Sequence, residues 1–193
     1  MSKFNDFFGR AFRGKRLSML GLKASGKSQF LKSLGCSDAL PGVQSSREEY
    51  DWFKVDLHKK TVFVKAGYDI GGGHEYFMSQ FNNALKQGSW VLFLIDIKAF
   101  LENGADPESG SPYRDVVFQR LDYINENVPN KYFDKVAIVL THADLLKESR
   151  EYMVNEFQRA AKSKIFSVLT KRCFAVNATE PKDVLCVFER IIQ

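Results

Sequence analysis

Gly21-Leu22-Lys23-Ala24-Ser25-Gly26-Lys27-Ser28 completes the pattern G-x-x-x-x-G-K-[ST], and what stands on either side of it decides the fold. Arg16-Leu17-Ser18-Met19-Leu20 reads as a short buried strand entering the loop. Gln29 to Leu34 reads as a helix leaving it. A chain that turns from strand to helix through glycines gathers its backbone N–H groups at the positive end of the helix dipole, where an anion is favoured. Gly21 and Gly26 permit the curl, and Lys23, Ala24 and Ser25 complete the loop between them. Lys27 is expected to reach the β- and γ-phosphates of a nucleoside triphosphate, and the Ser28 hydroxyl to ligate Mg²⁺. The plain alternative is a glycine turn followed by a surface Lys-Ser pair.

Beyond the first helix, Gly35 to Glu49 is polar and turn-rich around Pro41-Gly42. The stretches 50–57 and 61–68 then read as two strands joined by a hairpin at His58-Lys59-Lys60. Asp69-Ile70-Gly71-Gly72-Gly73 opens a loop into a helical stretch reaching about Lys86. The apolar run from Trp90 to Ile97 predicts a strand, followed by a loose loop from Asn103 to Pro112 and a helix from Tyr113 to about Asn127. Lys135 to Leu140 is the next strand, ending in Thr141-His142-Ala143-Asp144. A long helix is expected from about Ser149 to Leu169, then a strand from Cys173 to Val176 ending in Asn177-Ala178-Thr179. In the last helix Val184, Val187, Phe188 and Ile191 form an i, i+3, i+4, i+7 stripe that should pack on the sheet. Strands alternating with helices imply right-handed crossovers and a mostly parallel sheet, with ligands at the ends of the strands.

With 193 residues the chain is one domain of ordinary size, and 45% hydrophobic residues provide for its core. The expected division is an amphipathic segment over residues 1–15 and a P-loop nucleotide-binding domain over 16–193. No apolar run approaches the ~20 residues that span a bilayer. The three cysteines, Cys36, Cys173 and Cys186, show no metal-ligand spacing and fit reduced thiols of a cytoplasmic protein, with Cys186 expected to face a core. A net charge of +5 suits a nucleotide or an anionic membrane surface and is too small to argue for nucleic-acid binding.

The loops taken together resemble those of the small GTPases, within them the ADP-ribosylation-factor branch, over nearly the whole chain. Gly21 to Ser28 is similar to that branch's GLDAAGKT, and Asp69-Ile70-Gly71-Gly72 to its D-V-G-G. Phe93-Leu94-Ile95-Asp96 resembles the strand ending in Asp that follows. Thr141-His142-Ala143-Asp144 stands where N-K-x-D belongs, and Asn177-Ala178-Thr179 where S-A-K or C-A-T belongs. The resemblance implies a P-loop NTPase three-layer α/β sandwich: a mostly parallel six-stranded sheet with one antiparallel edge strand and helices on both faces. It also implies GTP/GDP and Mg²⁺ as ligands. Asp69 would hold the metal through a water, and the Gly72 N–H would donate to the γ-phosphate. Asp144 would accept the ring N–H and exocyclic amine of guanine, a pair of donors that adenine lacks. The Ala178 N–H would meet the guanine carbonyl, between Asn177 and Thr179. His142 replaces a lysine that covers the base, and Thr141 replaces an asparagine.

The chain departs from that pattern at three places. The water-orienting glutamine after D-x-x-G is replaced by Gly73; His74, one position on, is either a surrogate or an exposed loop histidine. Lys23 occupies a position where the family has Asp or Gly. No threonine lies between Gly35 and Tyr50 to serve the first switch, which leaves Ser45 and Ser46, with Ser46 favoured as the metal ligand. The expected function is a small GTP-binding switch with slow hydrolysis, its catalytic groups being Lys27, Gly72 and His74. The alternatives are a hydrolysis-deficient nucleotide-binding adaptor and, further off, a P-loop kinase of small molecules. Effector or activating proteins are expected on the switch loops, about 36–50 and 69–80. Phe4, Phe7, Phe8, Ala11 and Phe12 share one helical face among basic residues. That pattern suits either peripheral membrane contact or packing into a groove. Ser2 stands where the myristoylation motif needs glycine.

Overall fold

The computed structural model describes residues 15–37, 48–50, 53–58, 61–65, 67–70 and 90–193, with 15, 48–50, 65 and 67–70 followed as backbone. Strand β1 (Lys15–Gly21) runs directly into the glycine loop and helix α1 (Lys27–Ser33). Four short strands follow: β2 (Glu48–Tyr50), β3 (Phe53–Asp56), β4 (Thr61–Lys65) and β5 (Gly67–Ile70). Then come β6 (Trp90–Asp96), α2 (Ile97–Glu102), α3 (Tyr113–Asn127), β7 (Val136–Thr141), α4 (Arg150–Ala161), β8 (Cys173–Ala175) and α5 (Pro181–Ile191).

The strand order is β2-β5-β1-β6-β7-β8, with β2 antiparallel to β5 and every other neighbour in that series parallel. β3 and β4 form a separate antiparallel pairing, and β4 also runs parallel beside Lys15 and Arg16 of β1. The fold is therefore α/β with a mostly parallel sheet. The two strands expected over 50–57 and 61–68 correspond to the pairs β2/β3 and β4/β5.

Both faces of the central strands are apolar, as a sheet covered on two sides requires. On β6 and β7, Val91, Phe93, Ile95, Val136, Ile138 and Leu140 enter one core with Val117 and Leu121 of α3 and Met153 and Phe157 of α4. The intervening Leu92, Leu94, Ala137 and Val139 enter a second core with Phe30 and Leu31 of α1 and Val184, Val187, Phe188 and Ile191 of α5. The period-two alternation of the strands thus sorts the helices into two layers. The stripe read from the last helix is buried as expected.

Four expectations need correction. The strand expected to reach Ile97 ends at Asp96, whose carboxylate accepts the Ala99 N–H and so starts α2, a helix that was not expected. The loop from Asn103 to Pro112 is not loose. Asp106 accepts from the N–H of Glu108 and Ser109 and from the Ser109 hydroxyl, and Ala105 bridges Pro112. The long helix expected to Leu169 stops at Ala161, and a 3₁₀ helix occupies Ile165–Arg172. Bonds from the Lys164 N–H to the Ala161 carbonyl and from Ser167 to Lys164 tighten the chain, and buried Phe166 and Leu169 stand one 3₁₀ turn apart. Finally, Cys186 is exposed, because it falls between the stripe positions of α5, whereas Cys36 and Cys173 are buried.

Candidate functional site

Because β1, β6, β7 and β8 are parallel, the loops that leave them meet at one edge of the sheet. The innermost is Gly21–Ser28. A Cβ on Gly21 would lie 2.5 Å from the Leu94 carbonyl oxygen and 2.6 Å from the Ser25 Oγ, so no side chain fits there. Gly26 lies in the left-handed region at φ 79°, and Ala24 also has a positive φ, of 60°. These two reversals curl the loop.

Lys27 leads back over that curl. Its side chain is buried, and the ammonium donates to the Leu22 carbonyl at 2.9 Å and the Gly21 carbonyl at 3.3 Å. No acidic residue stands in the first turn of α1, and Gly26 provides no side-chain cap. The loop therefore presents a lysine ammonium beside the N-terminal end of a helix whose own first turn carries no acidic residue, which suits an anionic ligand. Ser25 is fully buried, and its Oγ has no hydrogen-bond partner among the described residues. Ser28 and Lys23 are half-buried and Ala24 is exposed.

Thr141 ends β7 and is wholly buried. Its hydroxyl lies 2.9 Å from the Ser25 carbonyl and 3.1 Å from the Ile95 carbonyl, shared between the two. The side chain thus ties the glycine loop to the ends of two central strands. His142 follows in a left-handed conformation at φ 57°, with Nδ1 3.2 Å from the Asp96 carboxylate. The hydrogen bond to Asp96 raises the His142 pKa, against burial, which would lower it; the Asp96 charge adds to the rise. Burial pushes Asp96 upward, but the His142 hydrogen bond, the Ala99 N–H and the His142 charge outweigh it, and the carboxyl lies below its ordinary value. The Asp96 N–H also donates to the Tyr113 hydroxyl at 3.1 Å. Asp144 is exposed in the short 3₁₀ turn Ala143–Leu145.

After β8, the Asn177 side-chain oxygen accepts from the Thr179 N–H and hydroxyl, at 2.9 and 2.7 Å. The Asn177 N–H donates to Asp183 at the start of α5 (2.7 Å), and Arg150 of α4 holds the other oxygen of that carboxylate. Ala178 is buried, and its carbonyl accepts the Ser33 hydroxyl at 2.7 Å. Ser33 belongs to α1, so the helix that leaves the glycine loop is bonded directly to the loop after β8.

The structure therefore brings together Gly21 to Ser28, Thr141, His142, Asp144 and Asn177 to Thr179. Asp69 lies in β5, paired with Met19 of β1 and Glu48 of β2, and is described as a backbone position. Gly72, Gly73, His74, Ser45, Ser46 and the segment 1–14 lie outside the described residues. Sequence reading noted Asp96 as the end of its strand but missed its pairing with His142. It also missed Ser33, Asp183 and Arg150, which carry no local signal, as parts of this edge.

Among the described residues no group of three or more His, Cys, Asp or Glu side chains converges as a metal site. No helix among them is long and apolar enough to cross a membrane. No family model matches the chain, and no curated protein matches it.

Proposed function

We propose that the chain is a small GTP-binding switch protein of the ADP-ribosylation-factor type, binding GTP and GDP with Mg²⁺ and hydrolysing GTP slowly. The observation that carries this reading is the Gly21–Ser28 loop. It has room for no Cβ at Gly21, and it is closed by a buried lysine whose ammonium is held by the loop's own carbonyls. Such an ammonium is already desolvated and oriented, and phosphate oxygens can replace the carbonyls without new ordering cost. Support for guanine comes from Asp144 and Ala178, on loops bonded to the same glycine loop and helix through Thr141 and Ser33.

In this account the loop N–H groups and Lys27 bind and orient the β- and γ-phosphates, and stabilise the charge that develops on them. Mg²⁺, when bound, supplies a further positive charge there. Ser28 and Asp69 are the residues that would hold it, with Ser46 from the first switch loop. Gly72 would donate its N–H to the γ-phosphate, and His74 would orient the attacking water in place of the missing glutamine. Asp144 would accept from the guanine edge and the Ala178 N–H would donate to its carbonyl, while His142 would cover the base. Gly73 at the glutamine position favours slow turnover. It also supports a second reading, an adaptor that retains nucleotide without hydrolysing it.

The test is Mg²⁺-dependent binding of a fluorescent GTP analogue to the stripped protein, with phosphate release followed in parallel. Binding that falls at least about a hundredfold in Lys27→Ala, with the fold retained, supports the reading. Undiminished binding in that variant overturns it. Binding with no phosphate release selects the adaptor.

A further inference from the structure

Asp96 stands in the candidate site without a role in the proposed function. It ends β6 opposite Thr141 of β7, the residue that precedes His142. Its carboxylate accepts the Ala99 N–H at 3.0 Å and caps α2, and its own N–H donates to the buried Tyr113 hydroxyl at 3.1 Å. The second carboxylate oxygen lies 3.2 Å from Nδ1 of His142. A carboxylate has no proton to give, so that bond requires the proton on Nδ1. The Thr141 hydroxyl, 3.4 Å from the same nitrogen, is already directed at the Ser25 and Ile95 carbonyls and can only accept from it. Nε2 is then the ring nitrogen that gains or loses a proton near neutrality. The left-handed backbone at His142, φ 57°, and the bond to Asp96 together fix where the ring stands.

Among the described residues, Asp96 and Asp144 are the charges that favour the protonated ring. On α2, which packs against the turn carrying Asp144, Lys98 is paired with Glu102 at 3.9 Å. On the glycine loop, tied to Thr141, the Lys27 ammonium is held by the Gly21 and Leu22 carbonyls, and Lys23 is half-buried. On α3, burial pushes the Tyr113 phenol far up, so it stays neutral wherever histidine titrates. The ring therefore keeps its second proton to higher pH than an ordinary histidine does.

We propose, building on the nucleotide reading of this edge, that Asp96 is a positioning residue that couples guanine-nucleotide affinity to pH. It holds the His142 ring in place to cover the base, and binding is tight while Nε2 carries a proton and weakens once it does not. An imidazolium over a purine face gains a cation–π attraction that a neutral imidazole lacks, and it also attracts the phosphates. A lysine in that place would be cationic at every pH the fold meets, whereas a histidine makes the contact switchable. The sign follows from linkage. Nucleotide favours the protonated ring, so affinity is full below the His142 pKa of the free protein and falls as pH rises through it. Because that value is raised, the fall lies above the ordinary histidine value of about 6.5. Bound nucleotide must in turn raise the His142 pKa further.

The experiment measures the affinity of the stripped full chain for a fluorescent GTP analogue in Mg²⁺ from about pH 5.5 to 8.5, with His142→Lys and Asp96→Asn alongside. Dividing the parent's Kd by that of His142→Lys at each pH removes the titration of the ligand's own phosphates. That ratio should rise about fivefold across the range. Asp96→Asn keeps an acceptor for the Ala99 N–H and loses the charge, so its rise should move to lower pH. The His142 ring, followed by NMR, should titrate higher in the parent than in Asp96→Asn, and higher still with nucleotide bound. A flat ratio in a parent that binds guanine nucleotide overturns the proposal and leaves the nucleotide reading standing. An unmoved transition in folded Asp96→Asn does the same. Should that variant fail to fold, the ratio and the parent's ring titration decide alone. No nucleotide binding by the parent or by His142→Lys at any pH overturns both.

Discussion

The hydroxyl of Thr141 lies 2.9 Å from the carbonyl oxygen of Ser25, joining residues 116 apart in sequence at the centre of the candidate site. The same hydroxyl reaches the Ile95 carbonyl at 3.1 Å. Thr141→Val keeps the shape and removes both bonds, leaving buried carbonyls without that partner. Urea unfolding should show a loss of about 1–3 kcal/mol, and Thr141→Ser should recover most of it. GTP affinity should fall with Val and return with Ser, because the loop is held by the hydroxyl and not by the methyl. Equal stability of Val and Ser variants would contradict the tether.

His142 and Asp96 shift in opposite directions, and the signs define a pH window. His142 has a raised pKa, so its contribution is full below the unfolded histidine value and is lost as pH rises through the folded value. Asp96 has a lowered pKa, so its contribution is present above the unfolded carboxyl value and is lost as pH falls through the folded one. The pair therefore stabilises the fold most in mildly acidic solution. The partial exposure of both groups limits the gain to about 1 kcal/mol. His142→Phe should flatten the stability-versus-pH curve between about pH 5 and 8. A curve that keeps the parent's slope there would show that the pair contributes nothing.

Ser33 bonds α1 to the Ala178 carbonyl at 2.7 Å. Ser33→Ala should cost about 1 kcal/mol. In the proposed function it should also weaken guanine nucleotides more than inorganic pyrophosphate, because the base loop loses its support while the phosphate loop keeps Lys27. Calorimetric titration of both ligands checks this, and equal losses would argue against any coupling between the two loops.

Gly21→Ala places a Cβ 2.5 Å from a backbone oxygen in the middle of the sheet, where neither atom has room to yield. Thermal melting should show a destabilisation of about 1–3 kcal/mol, and anion binding should be lost in the fraction that folds. Gly110→Ala is the matched control. That glycine also has a positive φ, of 69°, but a Cβ there meets nothing within 4 Å, so only the smaller backbone cost remains.

The parts of the fold legible in the sequence are those written in local patterns. Trp90 to Ile95 and Val136 to Leu140 are continuous apolar runs, so both strands were read to within a residue, and the α5 stripe repeats with helical period, so its buried positions were read too. The helix expected to run to Leu169 was misjudged because buried residues three apart fit an α-helix and a 3₁₀ helix equally well. The short α2 was hidden because Asp96 serves the strand and the helix cap at once. In the site, the glycine loop was legible because its chemistry is local. Ser33, Asp183 and Arg150 were not, since each acts on a loop far off in sequence that only the folded sheet brings near.

The most direct measurement of the central claim is competition among GTP, GDP and ATP analogues for the stripped protein in Mg²⁺, repeated with Asp144→Ala. The account predicts guanine nucleotides favoured over ATP by at least about a hundredfold, with that preference falling at least about tenfold in the variant. Equal binding of ATP and GTP by the parent protein would contradict it.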